Sequence, residues 1–568
     1  MDRHRLASLG TAAAVLAAAW VVATTAYWAL AAAHPLPYWD HWEFCEDLRR
    51  AAAGEYALAE LVRPANEHRI AFPRALCFVD ARAFSMRETA LIGFALAMLL
   101  GLAALVAGLA NRGRTATPQA RVAAAALLIA VVASGTQIAC LGWSFAPQFV
   151  AATLFPALAC ALIAFADPGG ARPVGRAAAM VLLAVLSAAC ATFSIVGALL
   201  VWPVLVALAL WQRTRLRLTA LLAAAGAACW AVYLWNGLNR QPSVGAGVAE
   251  AVVWGLAHLG SAWQIGKWGA PVAGLFGIGL LAVHGRRVLH AAREGHGIGD
   301  RCERALLAVL CFQLLLSMAM GLGRAGMGLR EALESRYAPG PLLWWAALLA
   351  LQFRVLARRP PSPRWTRAAW ITAALLVALL LTRQHKECSR WQSVREAREL
   401  AALSVLLGEA ASERCLGAYP APELLPEKVA VLRELGISVF APPWDRVVGE
   451  PLDRSMAIAD EEPLAAPFVG HRSTSGGSRF ELLRGTVGDE RLRRGARLVV
   501  VDREGTVCGL GSVGWPIRAG DVVADRAVPT RGAMAWFALV PAELDEGRWF
   551  VVDDAGPRAV PMRAPRTD

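Results

Sequence analysis

The sequence predicts a polytopic α-helical membrane protein of about eleven transmembrane helices, followed by a small β-rich C-terminal domain. Three observations carry this. Hydrophobic residues make up 57% of the 568 residues and charged residues only 18%, with a mean hydropathy of +0.45. Apolar stretches near the roughly 20 residues that a bilayer core demands recur as far as residue 382. Beyond that point the chain turns to short helical and β-type runs.

The apolar stretches cover about 8–33, 88–110, 120–137, 148–166, 177–191, 194–211, 218–235, 268–284, 304–321, 340–357 and 367–382. The first follows Arg3 and Arg5 and ends on Ala31-Ala32-Ala33, as a secretion signal would. Its apolar core exceeds the roughly 7–15 residues of a signal, so an uncleaved span is expected. Arginine then sits in alternate loops: Arg112, Arg114 and Arg121; Arg172 and Arg176; Arg213, Arg215 and Arg217; Arg286, Arg287, Arg293, Arg301 and Arg304; Arg354, Arg358, Arg359, Arg364 and Arg367. Against about twenty cations these loops hold about five acids, the asymmetry of cytoplasmic loops. That surplus accounts for the net charge of +13 and argues against a nucleic-acid partner. It places the N-terminus in the cytoplasm, and both the 38–87 loop and everything after about Leu381 outside. Lysine is confined to Lys267, Lys386 and Lys428 while Ala, Arg and Leu abound, as in a high-GC bacterial genome. The expected location is the bacterial inner membrane.

The expected domains are 1–382, transmembrane, and 383–568, periplasmic. The second opens with a helix over Trp391–Glu413. Another, from Pro426 to Leu435, stops at Gly436, a natural left-handed cap. The runs 497–502, 535–540 and 548–553, with Gly505, Gly509, Gly511 and Gly514 between them, read as strands of a small sandwich. Most of the eleven cysteines fall within spans. Cys45 with Cys77, and Cys388 with Cys415, are possible disulfide pairs in an oxidising compartment. There is no CxxC and no zinc-ligand spacing.

Candidate chemistry lies in the outer loops, since the inner ones are short and basic. The first long outer loop opens with Pro37-Tyr38-Trp39-Asp40-His41-Trp42-Glu43-Phe44. Asp40 is either a reacting carboxylate or the start of a capping box closed by Glu43, with Trp39, Trp42 and Phe44 as interfacial anchors. Asn66-Glu67-His68-Arg69 is either a solvated helix start or a second wall of the site. In the second reading Glu67 or His68 does acid/base work and Arg69 holds a phosphate. His34, His41 and His68 with nearby acids are a weak metal-ligand set. Gly321–Gly328 is glycine-rich but lacks the Lys-Ser/Thr of a phosphate-binding P-loop. Arg324 and Arg336, beside Tyr337, run against the charge rule for an outer loop, and a guanidinium suits phosphate. Pairing with Glu331 or Glu334 is the plainer alternative. Thr192–Gly197 with Trp202-Pro203 reads as helix packing and a kink.

Together these features resemble the GT-C superfamily of membrane glycosyltransferases, which use polyprenyl-phosphate-linked sugars. The resemblance rests on the acidic Trp39-Asp40-His41-Trp42 motif after the first span, a second long outer loop at 236–267, and a soluble domain after the last span. It implies Asp40 as catalytic base or its organiser, and Arg324 and Arg336 as holders of the carrier phosphate. The chain is also similar to a group of bacterial multi-span proteins sharing WDxW, NEHR, Trp143-to-Phe149 and Gly-Arg…Ser-Arg-Tyr segments; this covers residues 1–382. One departure is the lack of an acid in 140–149, where many such enzymes carry a second carboxylate, so metal-dependent chemistry is not expected.

The expected function is therefore transfer of a sugar from a polyprenyl-phosphate carrier to a lipid or polysaccharide acceptor at the outer face. Asp40, Glu67 and His68 are the catalytic candidates. Trp39, Trp42, Glu43, Arg69, Arg324, Arg336 and Tyr337 are the substrate-binding ones. No metal or other cofactor is expected, and the partners are the carrier-linked sugar, the acceptor and membrane lipids. The alternative is a non-catalytic transporter or envelope-glycan assembly factor, or a polymerase or ligase of similar chemistry. Spans nearly free of charge and the absence of an internal repeat favour the enzyme.

Overall fold

The computed structural model describes residues 3–113, 116–167, 172–235, 247–263, 266–293, 300–358, 363–441, 457–458, 468–474, 478–487, 497–503, 506–516, 522–523, 526–527, 534–542, 548–552 and 558–562. Residues 236–246 of the second long outer loop, Arg114, Glu294 and Arg359 of the basic loops, and Gly505 and Asp553 of the tail lie outside them.

In chain order the elements are α1 (Arg3–Ala31), α2 (Phe44–Ala52), β1 (Pro64–Ala65), β2 (His68–Arg69), α3 (Ala71–Phe84), α4 (Thr89–Asn111), α5 (Pro118–Val132), α6 (Ile138–Leu141), α7 (Ala146–Ala166) and α8 (Val174–Thr192). Then come α9 (Val201–Trp211), α10 (Leu216–Leu234), α11 (Val248–Gly260), α12 (Gly266–Arg293), α13 (Asp300–Arg324), α14 (Pro339–Ala357), α15 (Pro363–Leu406) and α16 (Leu425–Leu435). The tail adds β3 (Ala457–Ile458), β4 (Phe468–Thr474), β5 (Phe480–Val487), β6 (Arg497–Val501), β7 (Val507–Pro516), β8 (Val522–Val523), β9 (Arg526–Ala527), β10 (Met534–Pro541), β11 (Arg548–Val552) and β12 (Arg558–Met562).

Two compact units emerge, and neither is continuous in sequence. One comprises Met1–Ala33, Tyr56–Asp80 and Glu88–Trp391; the other His34–Glu55, Ala81–Arg87 and Gln392–Asp568. The first long outer loop is thus shared between them.

In the helical unit, nine helices among the described residues are long and apolar enough to cross a membrane. Two of the eleven expected spans differ. Residues 194–211 become a 3-10 turn and the short α9, because the chain breaks after Thr192 and Pro203 follows. Residues 367–382 are only the front of the 44-residue α15. The segment Pro118–Leu141 is 83% buried and Ser8–Ala31 only 17%, so the third span is interior and the first peripheral. Within a bilayer, helix association relies on close packing of small residues. A Cβ on Gly260 would sit 1.8 Å from the Ala270 carbonyl oxygen, and one on Gly274 2.0 Å from that of Leu256. These glycines bring α11 and α12 into backbone contact. α11 occupies much of what was expected to be the second long outer loop. Its 13 residues are too few for a span, yet Trp254, Ala257, His258 and Leu259 are buried.

In the second unit, strand order is β3-β12-β11-β6-β7-β10-β5-β4, one eight-stranded sheet in place of the expected sandwich. The register aligns Leu482, Leu539, Leu510, Val499 and Phe550 as one row across five neighbouring strands. Leu403 and Leu407, at the end of α15, cover that row. A helix thereby does the covering that a second sheet would have done. On the other face the Trp536 and Trp549 rings stand 5.8 Å apart though two strands separate theirs, so the sheet curls. α16 ends at Gly436 with φ +61°, as expected. The helix expected over Trp391–Glu413 is the end of α15 and stops at Leu406. All eleven cysteines are free thiols, so neither expected disulfide forms.

Candidate functional site

Asn66-Glu67 is the two-residue turn of a minimal hairpin in which β1 pairs with β2, Ala65 facing His68 and Pro64 facing Arg69. Asn66 takes the left-handed conformation, φ +52°, that asparagine tolerates in tight turns. The helix start expected after Asn66 is displaced to Ala71. The hairpin presents Glu67 at its tip.

There Glu67 meets the end of α13. Arg324 donates from Nη2 to Glu67 Oε1 at 2.6 Å and from Nη1 to Tyr337 Oη at 2.6 Å. Tyr337 Oη donates to Glu331 Oε1 at 3.1 Å, and Arg336 also donates to that oxygen. Both guanidinium groups lie over the Tyr337 ring, at 5.4 and 5.0 Å. Phe149 and His258 abut the ring edge-to-face. Five consecutive side chains, Glu67, Arg324, Tyr337, Glu331 and Arg336, form one hydrogen-bonded chain.

Burial works against the Glu67 carboxylate, but His68, the local backbone and Arg324 outweigh it and bring its pKa below the ordinary value. Burial, opposed by Glu67 and assisted by Arg324, pushes His68 down to about 4. His68 is therefore neutral at pH 7, where Arg324 is the cation paired with the Glu67 carboxylate. The Val196 N–H donates to His68 Nδ1 at 3.4 Å, so the ring hydrogen belongs on Nε2, 3.5 Å from Glu67 Oε1. Burial, against the pull of Arg336 and Arg324, raises the Tyr337 phenol to about 12 and keeps it protonated.

Arg69 does something else. It is 7% exposed, and its guanidinium donates to the carbonyls of Val62, Tyr233 and Trp235 at 2.8, 3.4 and 2.7 Å. It ties the hairpin to the end of α10. Arg74 staples the preceding turn through the Glu60, Leu61 and Arg63 carbonyls.

The segments assigned to the outer face by charge alternation gather at one end of this unit. Phe72 N–H reaches the Phe193 carbonyl, Tyr233 Oη donates to that of Thr192, and Ser335 Oγ to that of Thr136. The basic loops gather at the other end. Arg354 donates to the Leu109 and Arg112 carbonyls, Arg358 pairs with Glu303 at 2.8 Å, and Arg215 with Asp167 at 3.5 Å.

Trp39, Asp40, Trp42 and Glu43 belong to the other unit. Their 3-10 turn spans Trp39–Glu43 with Tyr38 before it, and no side chain caps it. The expected Asp40–Glu43 capping box is not formed: Glu43 instead accepts from Tyr419 Oη at 2.6 Å and from Lys428 Nζ at 3.0 Å. Trp42 and Phe44 are buried in this unit and so are not interfacial anchors, while Trp39 and Asp40 are exposed. Trp39 holds φ +50°, an uncommon conformation for a bulky residue, and its N–H donates to the Ala418 carbonyl at 2.8 Å. His34 accepts the Leu36 N–H on Nδ1 and offers Nε2 to Glu399 at 2.8 Å.

Of the residues singled out from sequence, the structure gathers Glu67, His68, Arg324, Arg336 and Tyr337. Glu331, foreseen only as a partner for an outer arginine, is a full member of the network. Val196 and Tyr233 were not foreseen; their signal was position alone, at a helix break and a span end. Among the described residues no three His, Cys, Asp or Glu side chains gather as a metal-ligating group. No protein-family model matches the chain, and neither does any curated protein or solved structure.

Proposed function

We propose that this chain is a membrane glycosyltransferase that moves a sugar from a polyprenyl-phosphate carrier to a lipid or polysaccharide hydroxyl at the outer face of the bacterial inner membrane. The Glu67–Arg324 pair, tied through Tyr337 to Glu331 and Arg336, is the observation that carries it. Glycosyl transfer needs a carboxylate near fixed cations, and this network supplies both where the outer-face segments meet. The acceptor oxygen attacks the anomeric carbon, the carbon–oxygen bond to the carrier breaks with its electron pair going to the phosphate, and the hydroxyl proton passes to Glu67. Arg324 and Arg336 stabilise the departing phosphate, and such fixed charges act strongly in a site with little water. Tyr337 spaces the two cations. Asp40, exposed on its turn, is the carboxylate that the sequence alone would favour, and its variant serves as the comparison.

Both carboxylates of the network are already paired with arginine, which also suits a non-catalytic assembly factor or transporter. The deciding experiment compares Glu67→Gln, Asp40→Asn and a clean deletion by mass spectrometry of envelope glycan. Loss of a glycan component in the deletion and in Glu67→Gln, with normal protein levels, supports the enzyme. Wild-type glycan in both variants removes it.

A further inference from the structure

Beside the network lies a second feature that it does not use. A cavity of about 560 Å³ is bounded by Glu60, Arg63 and Arg69 and by the apolar side chains of Val62, Val232 and Trp235, among others. Arg69 is the unusual member. Buried cations are normally paired with an anion. Its contacts are three carbonyl oxygens and the Tyr233 ring at 5.8 Å, none of them a carboxylate. Carbonyls orient a guanidinium without cancelling its charge, and those three bonds use three of its five N–H groups. Among the lining side chains Arg63 and Arg69 are cationic and Glu60 anionic, so the walls carry one net positive charge.

The position is also informative. Val232 lies in the last turn of the α10 span and Trp235 just after it, and Leu58, Leu234 and Trp235 are 81%, 54% and 74% exposed. A buried cation, apolar walls and exposed hydrophobic side chains at a span end are the features of a site for an anionic amphiphile. Charge decides which one. A phosphate monoester carries about −1.5 to −2 at pH 7, whereas a phosphodiester carries one negative charge and matches the single uncompensated cation.

We infer that this cavity binds the phosphodiester headgroup of an anionic glycerophospholipid, with its acyl chains along Val232 and Trp235. The site is distinct from the Glu67 network, although Pro64 and Arg69 at the base of the hairpin border it while Glu67 stands at the tip.

The test is native mass spectrometry of the full-length protein in neutral detergent, titrated with phosphatidylglycerol or phosphatidylcholine. One phosphatidylglycerol should bind about tenfold more tightly than phosphatidylcholine, the worth of one charge-assisted contact. Arg69→Gln should lose that preference. Since Arg69 also holds the hairpin, Val232→Trp provides a second arm: it fills the cavity from an exposed position and should weaken phosphatidylglycerol about tenfold without removing a polar contact. Equal affinity for the two lipids, or unchanged binding by Val232→Trp, overturns the site. Displacement of phosphatidylglycerol by equimolar inorganic phosphate overturns the lipid assignment. Displacement by an equimolar isoprenoid monophosphate overturns the choice of phospholipid.

Discussion

Arg324 and Glu67 stand 257 positions apart in the chain and meet at 2.6 Å. One comes from the last turn of a membrane helix and the other from the tip of a two-residue turn. Their side chains are 25% and 29% exposed, so solvent screens the pair and its contribution to stability is modest.

That pair gives the first prediction. A double-mutant cycle with Glu67→Gln and Arg324→Gln should return a coupling of about 1 kcal/mol in unfolding free energy. The exchange Glu67→Arg with Arg324→Glu should restore part of that stability and none of the transferase activity, because the carboxylate would then sit on the helix. Full activity in the exchanged protein would assign the pair a purely structural part.

His68 sets a pH dependence. Its folded pKa of about 4 lies below the ordinary 6.5, so the unfolded chain binds more protons between those values. Stability should rise as pH increases from about 4 to 6.5 and be flat above. Glu67, also depressed, contributes stability that is lost only as pH falls below its ordinary value of 4.5. The His68 contribution is at most about 3 kcal/mol. Unfolding midpoints across pH should show this slope in the wild type and a flatter one in His68→Asn. Equal slopes would refute it.

The glycine contacts of α11 and α12 predict a sharp positional contrast. Gly260→Val should abolish the folded protein, since even a Cβ there meets the Ala270 carbonyl oxygen at 1.8 Å. Gly279→Ala, in α12 and with nothing within 4 Å, should be neutral or stabilise by up to about 1 kcal/mol. Size-exclusion profiles of detergent extracts separate the two outcomes.

The thiols are the last case. Burial, only partly offset by Lys428, pushes Cys45 up to about 12, and burial does the same to Cys415. Neither should react with maleimide at neutral pH in the folded protein. Reductant should leave the unfolding midpoint unchanged, whereas loss of a native disulfide would remove about 2–4 kcal/mol.

Hydropathy made most spans legible, because apolar length is a property of each segment by itself. It failed at α11, whose 13 residues are too few for a span and whose burial depends on glycine contacts with α12. Arg324, Arg336 and Tyr337 were legible because cations on that face break the charge pattern. Pairing with Glu331 was among the readings, and Arg336 makes it; the Arg324–Glu67 pair was not, since the position of Glu67 depends on a turn closed by tertiary contacts. The cap at Gly436 needed only its own helix and was readable. The Asp40–Glu43 box was not, because Tyr419 and Lys428 compete for the same carboxylate from about 380 positions away.

The discontinuous second unit constrains how the protein can be made. His34–Glu55 leaves the ribosome early, but apart from Ala81–Arg87 the rest of its unit begins at Gln392. At 5–20 residues per second, synthesis of the intervening stretch takes roughly 15–70 s. Throughout that time Trp42, Phe44 and Cys45, buried in the finished protein, wait without their partners from the tail. This unit therefore closes only after its last segment has been made, and a premature stop near residue 391 would leave the Asp40 segment without its tail partners.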